Sequence, residues 1–484
     1  MFTLAKEQME ETKLFEIVRQ MPKGAVLHCH LEAMLDLDWV CREALATDGM
    51  HIGAPTSLDT AHKRTYEPIA FDWTKQRSRP ETSLWDASYE ADALVPIKQA
   101  AATFPDGGEE GFIRWLVSKT TVTPSESLEH HTGIHTVWNK FLSCFGILRT
   151  LIWYEPIFRK FLARFFQQLA EDGISYVDIR AAMAFEYRKF ESEDTEEGYH
   201  EAIRVLSEEL QKFQKTELGQ GFWGARLIWT TIRRFDNRTI VKSMNDCIDV
   251  KLEYPEMIAG FDLVGFEEAG RPLADVLPLL FHFRKLCAQA QVNIPFYLHA
   301  GETCQSGSET DQNLYDAILL GTRRLGHAFS LYKHPLLMNM VKEKRICVEC
   351  CPVSNEVLRL CASILQHPLP AMLAHGVPVA LSNDDPGILG QGHSGSSHDF
   401  WQALQCIESL GLEGLAAMAE NSVRYASFED QDNQTYAEDV KNGAYGSGTR
   451  AQRMKQWKSD WERFCQWIVM EYGVDINTEL EEQD

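Results

Sequence analysis

The 484-residue chain is predicted to fold as an α/β protein, a (β/α)8 barrel with an insertion after the first strand and extra helices at its C-terminal end. Three observations support this. Eight short apolar or β-branched runs alternate with helical patterns, which implies parallel strands joined by right-handed crossovers. Residues 25–386, with the strand-poor stretch 45–135 set aside, amount to about 270 positions, near the ~250 of a typical barrel. Residues able to bind metal or move protons end the first, fifth, sixth and eighth runs, and barrels assemble their active sites at that face.

The runs are Ala25–His30, Tyr176–Arg180, Arg226–Thr230, Ile258–Gly265, Phe296–Glu302, Arg324–Ala328, Cys347–Pro352 and Pro378–Pro386, each bounded by turn residues. Helical patterns lie between them at Pro156–Ala170, Glu201–Phe213, Leu273–Ala290 and Gln312–Leu320. Stretch 45–135 holds turns such as Gly53-Ala54-Pro55 and Pro105-Asp106-Gly107-Gly108 but few periodic apolar segments, and is expected to fold over the barrel mouth. It contains five histidines, His51, His62, His130, His131 and His135; the His130-His131 pair lacks carboxylates at matching spacing and reads as a solvent or packing feature. Beyond the eighth run come helical segments Asp399–Glu408 and Arg453–Tyr472, then an acidic tail, Glu479–Asp484, expected to fray. Residues 1–484 thus read as one domain.

Acidic residues outnumber basic ones, 70 to 47, for a formal net charge of −23. Such a surface repels phosphate backbones and anionic lipid, so neither nucleic acid nor membrane is an expected partner. The basic doublet Arg233-Arg234 is too small to reverse that. No run of about 18 apolar residues suggests a transmembrane helix. The N-terminal MFTLAKEQMEETKLFEIVRQ is amphipathic and lacks a secretory signal pattern. The 12 cysteines show no framework spacing, and Cys347, Cys350 and Cys351 sit in apolar runs where a thiol packs as a small hydrophobe. A reduced, cytoplasmic protein is expected, despite sequons at Asn237 and Asn433.

Four segments carry the chemistry. His28 and His30 are two apart, so on a strand they point the same way and can grip one ion, with Cys29 between them facing outward. His299 ends the fifth run, Gly301 allows a tight turn, and Glu302 then lies near a metal without being forced to bind it. A partly buried carboxyl there can give a proton to a leaving or ring nitrogen. His327 ends the sixth run as a ligand or a base; spacing alone does not decide. Asp384 and Asp385 diverge at the end of the eighth run, so one can reach a metal while the other faces substrate. Three histidines and an aspartate can surround one zinc ion and leave room for a water molecule. The fourth run, Ile258–Gly265, has no lysine to bridge a second metal, which favours one ion over two.

Further segments match in order: Met21-Pro22-Lys23-Gly24, Gly260-Phe261-Asp262-Leu263-Val264-Gly265, His299-Ala300-Gly301-Glu302-Thr303, Arg324-Leu325-Gly326-His327, Cys351-Pro352-Val353-Ser354-Asn355 and Ser382-Asn383-Asp384-Asp385-Pro386. Together they resemble the adenosine deaminase superfamily, and most of all its adenosine deaminase-related growth factor branch, which includes the extracellular adenosine deaminases. The resemblance implies a metal-dependent hydrolase barrel holding one zinc through His28, His30, His299 and Asp384. By the same likeness His327 orients the attacking water and takes up its proton, Glu302 protonates purine N1, and Asp385 contacts N7. The Gly265 N–H meets N3, Glu32 meets the ribose, and Gly301 lies among the substrate-binding residues. The implied activity is hydrolytic deamination of adenosine or 2′-deoxyadenosine. The alternatives are another 6-aminopurine compound (adenine, AMP or a modified adenosine) or a non-catalytic signalling member. A homodimer is implied by resemblance alone. Departures from the pattern are Glu32 where an aspartate is common, Phe266 where relatives carry a polar residue, and no cysteine between Cys41 and Cys144 for an insertion disulfide.

Overall fold

The computed structural model describes residues 2–75 and 83–481, with side chains through Gly473. Eight parallel strands form the barrel: β1 (Gly24–Val26), β2 (Ile174–Ala182), β3 (Gly224–Ile232), β4 (Ile258–Val264), β5 (Leu298–Ala300), β6 (Arg324–His327), β7 (Cys347–Cys350) and β8 (Val379–Leu381). They pair in order as two four-stranded arcs, β1 to β4 and β5 to β8. Parallel bridges close the ring, Phe261 with Phe296 on one side and Cys29 with Asp384 on the other. The second closure lies at the active-site end: Asp384 N–H donates to His28 O at 3.2 Å, and His30 N–H to Asp384 O at 3.0 Å. Two of the segments singled out from sequence are therefore hydrogen-bonded to each other by backbone.

Helices cover the outside, among them Glu155–Glu171, His200–Phe213, Asn237–Glu253 and Leu273–Ala290. Local chemistry sets their starts. Asp236, for example, caps Asn237–Glu253 by accepting from the Thr239 N–H at 2.9 Å. After β8, helix Gly411–Tyr425 returns to the first strand, where Ser422 Oγ accepts from the Ala25 N–H at 2.8 Å. The final helix runs Thr449–Glu481, so the tail expected to fray is helical up to Glu481; 482–484 lie outside the described residues.

The segment between β1 and β2 is more ordered than its sequence suggests. It contains a three-stranded antiparallel sheet (Met50–Gly53, Ala70–Trp73, Val95–Pro96) and helices Gly108–Thr120 and Ile134–Leu151. Strands of two to four residues are too short to display a period-2 pattern, which is why the stretch reads as strand-poor. Residues 76–82 of it lie outside the described residues. Among the described residues no helix is long and apolar enough to cross a membrane, and all 12 cysteines are free.

Candidate active site

The site is built from the floor upward. Asp178, Arg180, Asp262, Arg324 and Glu349 project from β2, β4, β6 and β7 into the barrel and are all fully buried. Arg180 bridges Asp262 (Nε to Oδ2, 2.9 Å) and Glu349 (Nη2 to Oε2, 2.7 Å); Arg324 bridges Asp178 (2.9 Å) and Glu349. Two guanidiniums thus answer three carboxylates. The remaining negative charge is spent on histidines: Glu349 meets His28 Nδ1 at 2.8 Å, and Asp262 meets His299 Nδ1 at 2.6 Å. Each acceptor fixes its ring with Nδ1–H outward and the Nε2 lone pair inward, the orientation metal-binding imidazoles need. Although burial opposes ionisation, His299 and Arg180 hold the Asp262 carboxyl, and Arg180 and Arg324 the Glu349 carboxyl, well below the usual carboxylate range.

Inside that frame the sequence-predicted histidines converge. Ring centroids of His28 lie 5.4, 4.5 and 4.7 Å from those of His30, His299 and His327. Donor atoms of His28, His30 and His299 all fall within 4.8 Å of one another, and Asp384 Oδ1 sits 3.2 and 3.3 Å from Nε2 of His28 and His30. His28 Nε2 and Asp384 Oδ1 are buried with no hydrogen-bond partner among the described residues. Uncompensated polar atoms facing each other in a buried pocket fit a cation between them. Cys351, unforeseen as a donor, reaches the same place beside His28, His327 and Asp384. His327 (φ +59°), Ala328 (φ +45°) and Asp384 (φ +55°) occupy left-handed backbone without being glycine, strain that clusters at functional sites.

The proton-handling groups line the same cavity, of about 290 Å³. Glu302 is 4% exposed and its Oε1 has no hydrogen-bond partner among the described residues. Burial, then the neighbouring Asp384 and Glu267 carboxylates, push its pKa well up, which favours its protonated form. The backbone N–H groups of Gly301 and Glu302 donate to Glu267 at 3.3 and 3.1 Å, which pins the turn after β5. Gly301 (φ +81°) and Gly265 (φ +106°) supply conformations that side-chain-bearing residues avoid. Asp385 is raised by burial and by Asp384, and both its oxygens lack partners among the described residues. Burial pushes Glu32 up to about 7, against the opposing charge of Arg149.

Helix Ile134–Leu151 forms the roof. Trp138 stacks on Phe266 at 4.5 Å and 10°, and Phe145 meets His30 edge-on at 6.1 Å. The purine-edge departure at Phe266 is thereby half of an aromatic sandwich, and His135 packs on its edge at 5.1 Å. His30, Glu32, Gly265, His299, Glu302, His327, Asp384 and Asp385 all line the cavity, while His28 lies just beneath it. Sequence reading assigned no role to Glu349, Asp262, Asn355 or the roof aromatics. A charge inside an apolar strand run was the available signal for the first two.

An eight-stranded parallel barrel with this donor cluster at its C-terminal face defines the class of metal-dependent hydrolase barrels. A family model described as adenosine deaminase matches residues 119–442. Human "Adenosine deaminase 2" is 30% identical over 465 residues, 96% of this chain and 82% of the relative. An "Adenosine deaminase" of the sand fly Lutzomyia longipalpis is 29% identical over 463 residues, covering 94% and 80%. Among solved structures, an Arabidopsis N6-methyl-AMP deaminase superposes with a TM-score of 0.56 at 16% identity, covering 88% of this chain and 100% of that one. A zinc-containing amidohydrolase from Burkholderia ambifaria also gives 0.56, at 15% identity over 94% and 95%. The chain belongs to the adenosine deaminase family, and it is a hydrolase of the deaminase class.

Proposed function

We propose that this protein hydrolyses adenosine and 2′-deoxyadenosine to the 6-oxo nucleosides with release of ammonia, using one zinc ion held by His28, His30, His299 and Asp384. The observation that carries the reading is Glu302: a buried carboxyl, its pKa pushed up, beside the donor cluster in a cavity of nucleoside size. When bound, zinc supplies the Lewis acidity that makes a water nucleophilic near neutral pH. Glu302 gives its proton to N1, which draws electron density from C6 and opens it to attack. Asp385, pushed up in the same way by burial, meets N7, and the Gly265 N–H meets N3. Gly301 lets the chain turn close to the ring, His327 orients the attacking water, and Glu32 meets the ribose. Trp138 and Phe266 exclude solvent from the base. Relatives named adenosine deaminase support the nucleoside as substrate.

One further observation favours a second reading, the 5′-monophosphate. Arg149, Arg233 and Arg234 line the cavity, and Arg149 and Arg234 make no ion pair with a carboxylate among the described residues. Guanidiniums so placed suit a phosphate. Ammonia release from adenosine, 2′-deoxyadenosine, AMP and adenine, with Glu302→Gln as control, tests both readings. Turnover of adenosine that vanishes in the variant supports the first. AMP outrunning adenosine supports the second. No release from any of the four overturns both.

A further inference from the structure

The backbone N–H of Leu369 can only donate a hydrogen bond, and it donates to Nδ1 of His367 at 3.0 Å. The His367 lone pair is therefore at Nδ1. The ring is 4% exposed, and burial pushes its pKa down to about 3, so it is neutral and its single proton is on Nε2. That Nε2–H lies 3.0 Å from Asn355 Oδ1 and donates to it. The Asn355 amide is then fixed with Nδ2 turned the other way, 3.2 Å from His327 Nδ1. An amide nitrogen has only protons to offer, so His327 accepts at Nδ1 and carries its own proton on Nε2. This Nε2–H faces the donor cluster, 3.5 Å from Glu302 Oε1 and 3.7 Å from Asp384 Oδ2. Asn355 and His327 are 1% and 2% exposed, so the Asn355 amide lies buried between its two histidine partners. Phe329 holds the far ring edge-on at 5.4 Å and 89°.

We propose that His367 is a positioning residue which, through Asn355, locks His327 into the Nε2–H tautomer, so that His327 gives a hydrogen bond to the attacking water rather than taking its proton. This rests on the deaminase reading above and changes the role that family resemblance implies for His327. The water's proton passes instead to a carboxylate, Glu302, once it has handed its own to N1. The oxygen–C6 bond forms as Glu302 takes that proton; the remaining hydroxyl proton then passes to the amino nitrogen while the C6–N bond breaks, so ammonia leaves, C6=O forms and Glu302 ends protonated as it began. His367 touches neither substrate nor metal; it acts through the amide whose orientation it selects. A hydrogen bond that orients an active-site imidazole in this way is worth roughly 10–100-fold in activity.

The test uses the full-length, zinc-loaded enzyme. His367→Phe keeps the ring's bulk but removes both nitrogens, which frees the Asn355 amide to turn over; His367→Gln keeps a donor and an acceptor. We expect kcat for adenosine to fall about 10–100-fold in His367→Phe, with KM and zinc content near those of the parent, and to recover largely in His367→Gln. Nitrogen-15 spectra of histidine-labelled protein, with His327→Ala for assignment, read the tautomer directly. The parent should show His327 protonated at Nε2, and His367→Phe a mixture of tautomers. His327 protonated at Nδ1 in the parent, or full kcat in His367→Phe, overturns the proposal. The parent spectrum decides the matter even where His367→Phe fails to fold. It also decides where no nucleoside is turned over, an outcome that would sink the deaminase reading instead.

Discussion

The floor and the roof of the cavity are built on opposite principles. The floor is ionic: five buried charged groups from four strands, with His28 and His299 completing the pairing. The roof is aromatic, one helix laying Trp138, Phe141 and Phe145 over the opening. Buried charges are costly unless every one is paired, so the floor tolerates few arrangements. Aromatic packing is set by area and shape, so the roof tolerates many. Chemistry is therefore fixed from below and selectivity from above, and disturbing each should have separable consequences.

The largest effect is expected where the two meet. Glu302→Gln removes the proton given to N1 of the substrate ring and should lower kcat on the order of 10²–10⁴, with zinc content unchanged. Dialysis against a chelator should abolish turnover, and added zinc should restore it. Retention of activity by either preparation would detach the chemistry from the floor altogether.

Glu349→Gln comes next. Glu349 serves Arg180, Arg324 and His28 together, so neutralising it leaves two buried guanidiniums short of a counter-charge. Breaking such a network costs about 3–5 kcal/mol, and the loosened His28 should weaken zinc about 10–100-fold. Titration of metal release against a chelator, alongside a melting curve, reads both. A variant as stable and as zinc-tight as the parent would show that the floor does not orient the ligands.

The same contrast explains what could be read from the sequence. His28, His30, His299, His327 and Asp384 announce themselves because each follows an apolar strand run, where a polar side chain has no packing reason to be. Glu349 and Asp262 sit inside such runs, at Cys347-Val348-Glu349-Cys350 and Gly260-Phe261-Asp262-Leu263. Their partners lie on strands distant in the chain, so the pairing that makes their burial tolerable is invisible until the barrel closes. Trp138, Phe141 and Phe145 are spaced as any amphipathic helix spaces its core residues. Periodicity distinguishes buried from exposed faces but not a protein core from a ligand, so nothing in the sequence marks this helix as a roof.

Trp138→Ala should therefore act on binding alone. Trp138 loses its stack on Phe266, worth ~0.5–1.5 kcal/mol beyond area, and KM for adenosine should rise about three- to tenfold with kcat nearly unchanged. A fall in kcat at constant KM would mean that the roof takes part in chemistry, and the division between the two regions would collapse.

The smallest effect probes how the roof segment is tied down. On helix Gly108–Thr120, the Lys119 ammonium donates to the carbonyls of Thr65 and Glu67, each at 2.8 Å, and has no carboxylate within ion-pair reach among the described residues. Unlike the arginines of the floor, it is a nearly buried charge answered by dipoles only. Burial, helped by Lys140, pushes its pKa down to about 8, below the ~10.4 of a free lysine. Between those values the unfolded chain binds more protons than the folded one, so this group makes stability rise with pH across the window and leaves it flat below. Lys119→Met has no proton to lose. The melting temperature of the parent relative to Lys119→Met should climb by a few degrees between pH 8 and 10.5, with activity at pH 7 the same in both. A difference that stays flat through that window would mean that the lysine is hydrated, and that the roof segment is packed more loosely than its buried contacts imply. A difference that falls would require a carboxylate partner, and the roof would then share the logic of the floor.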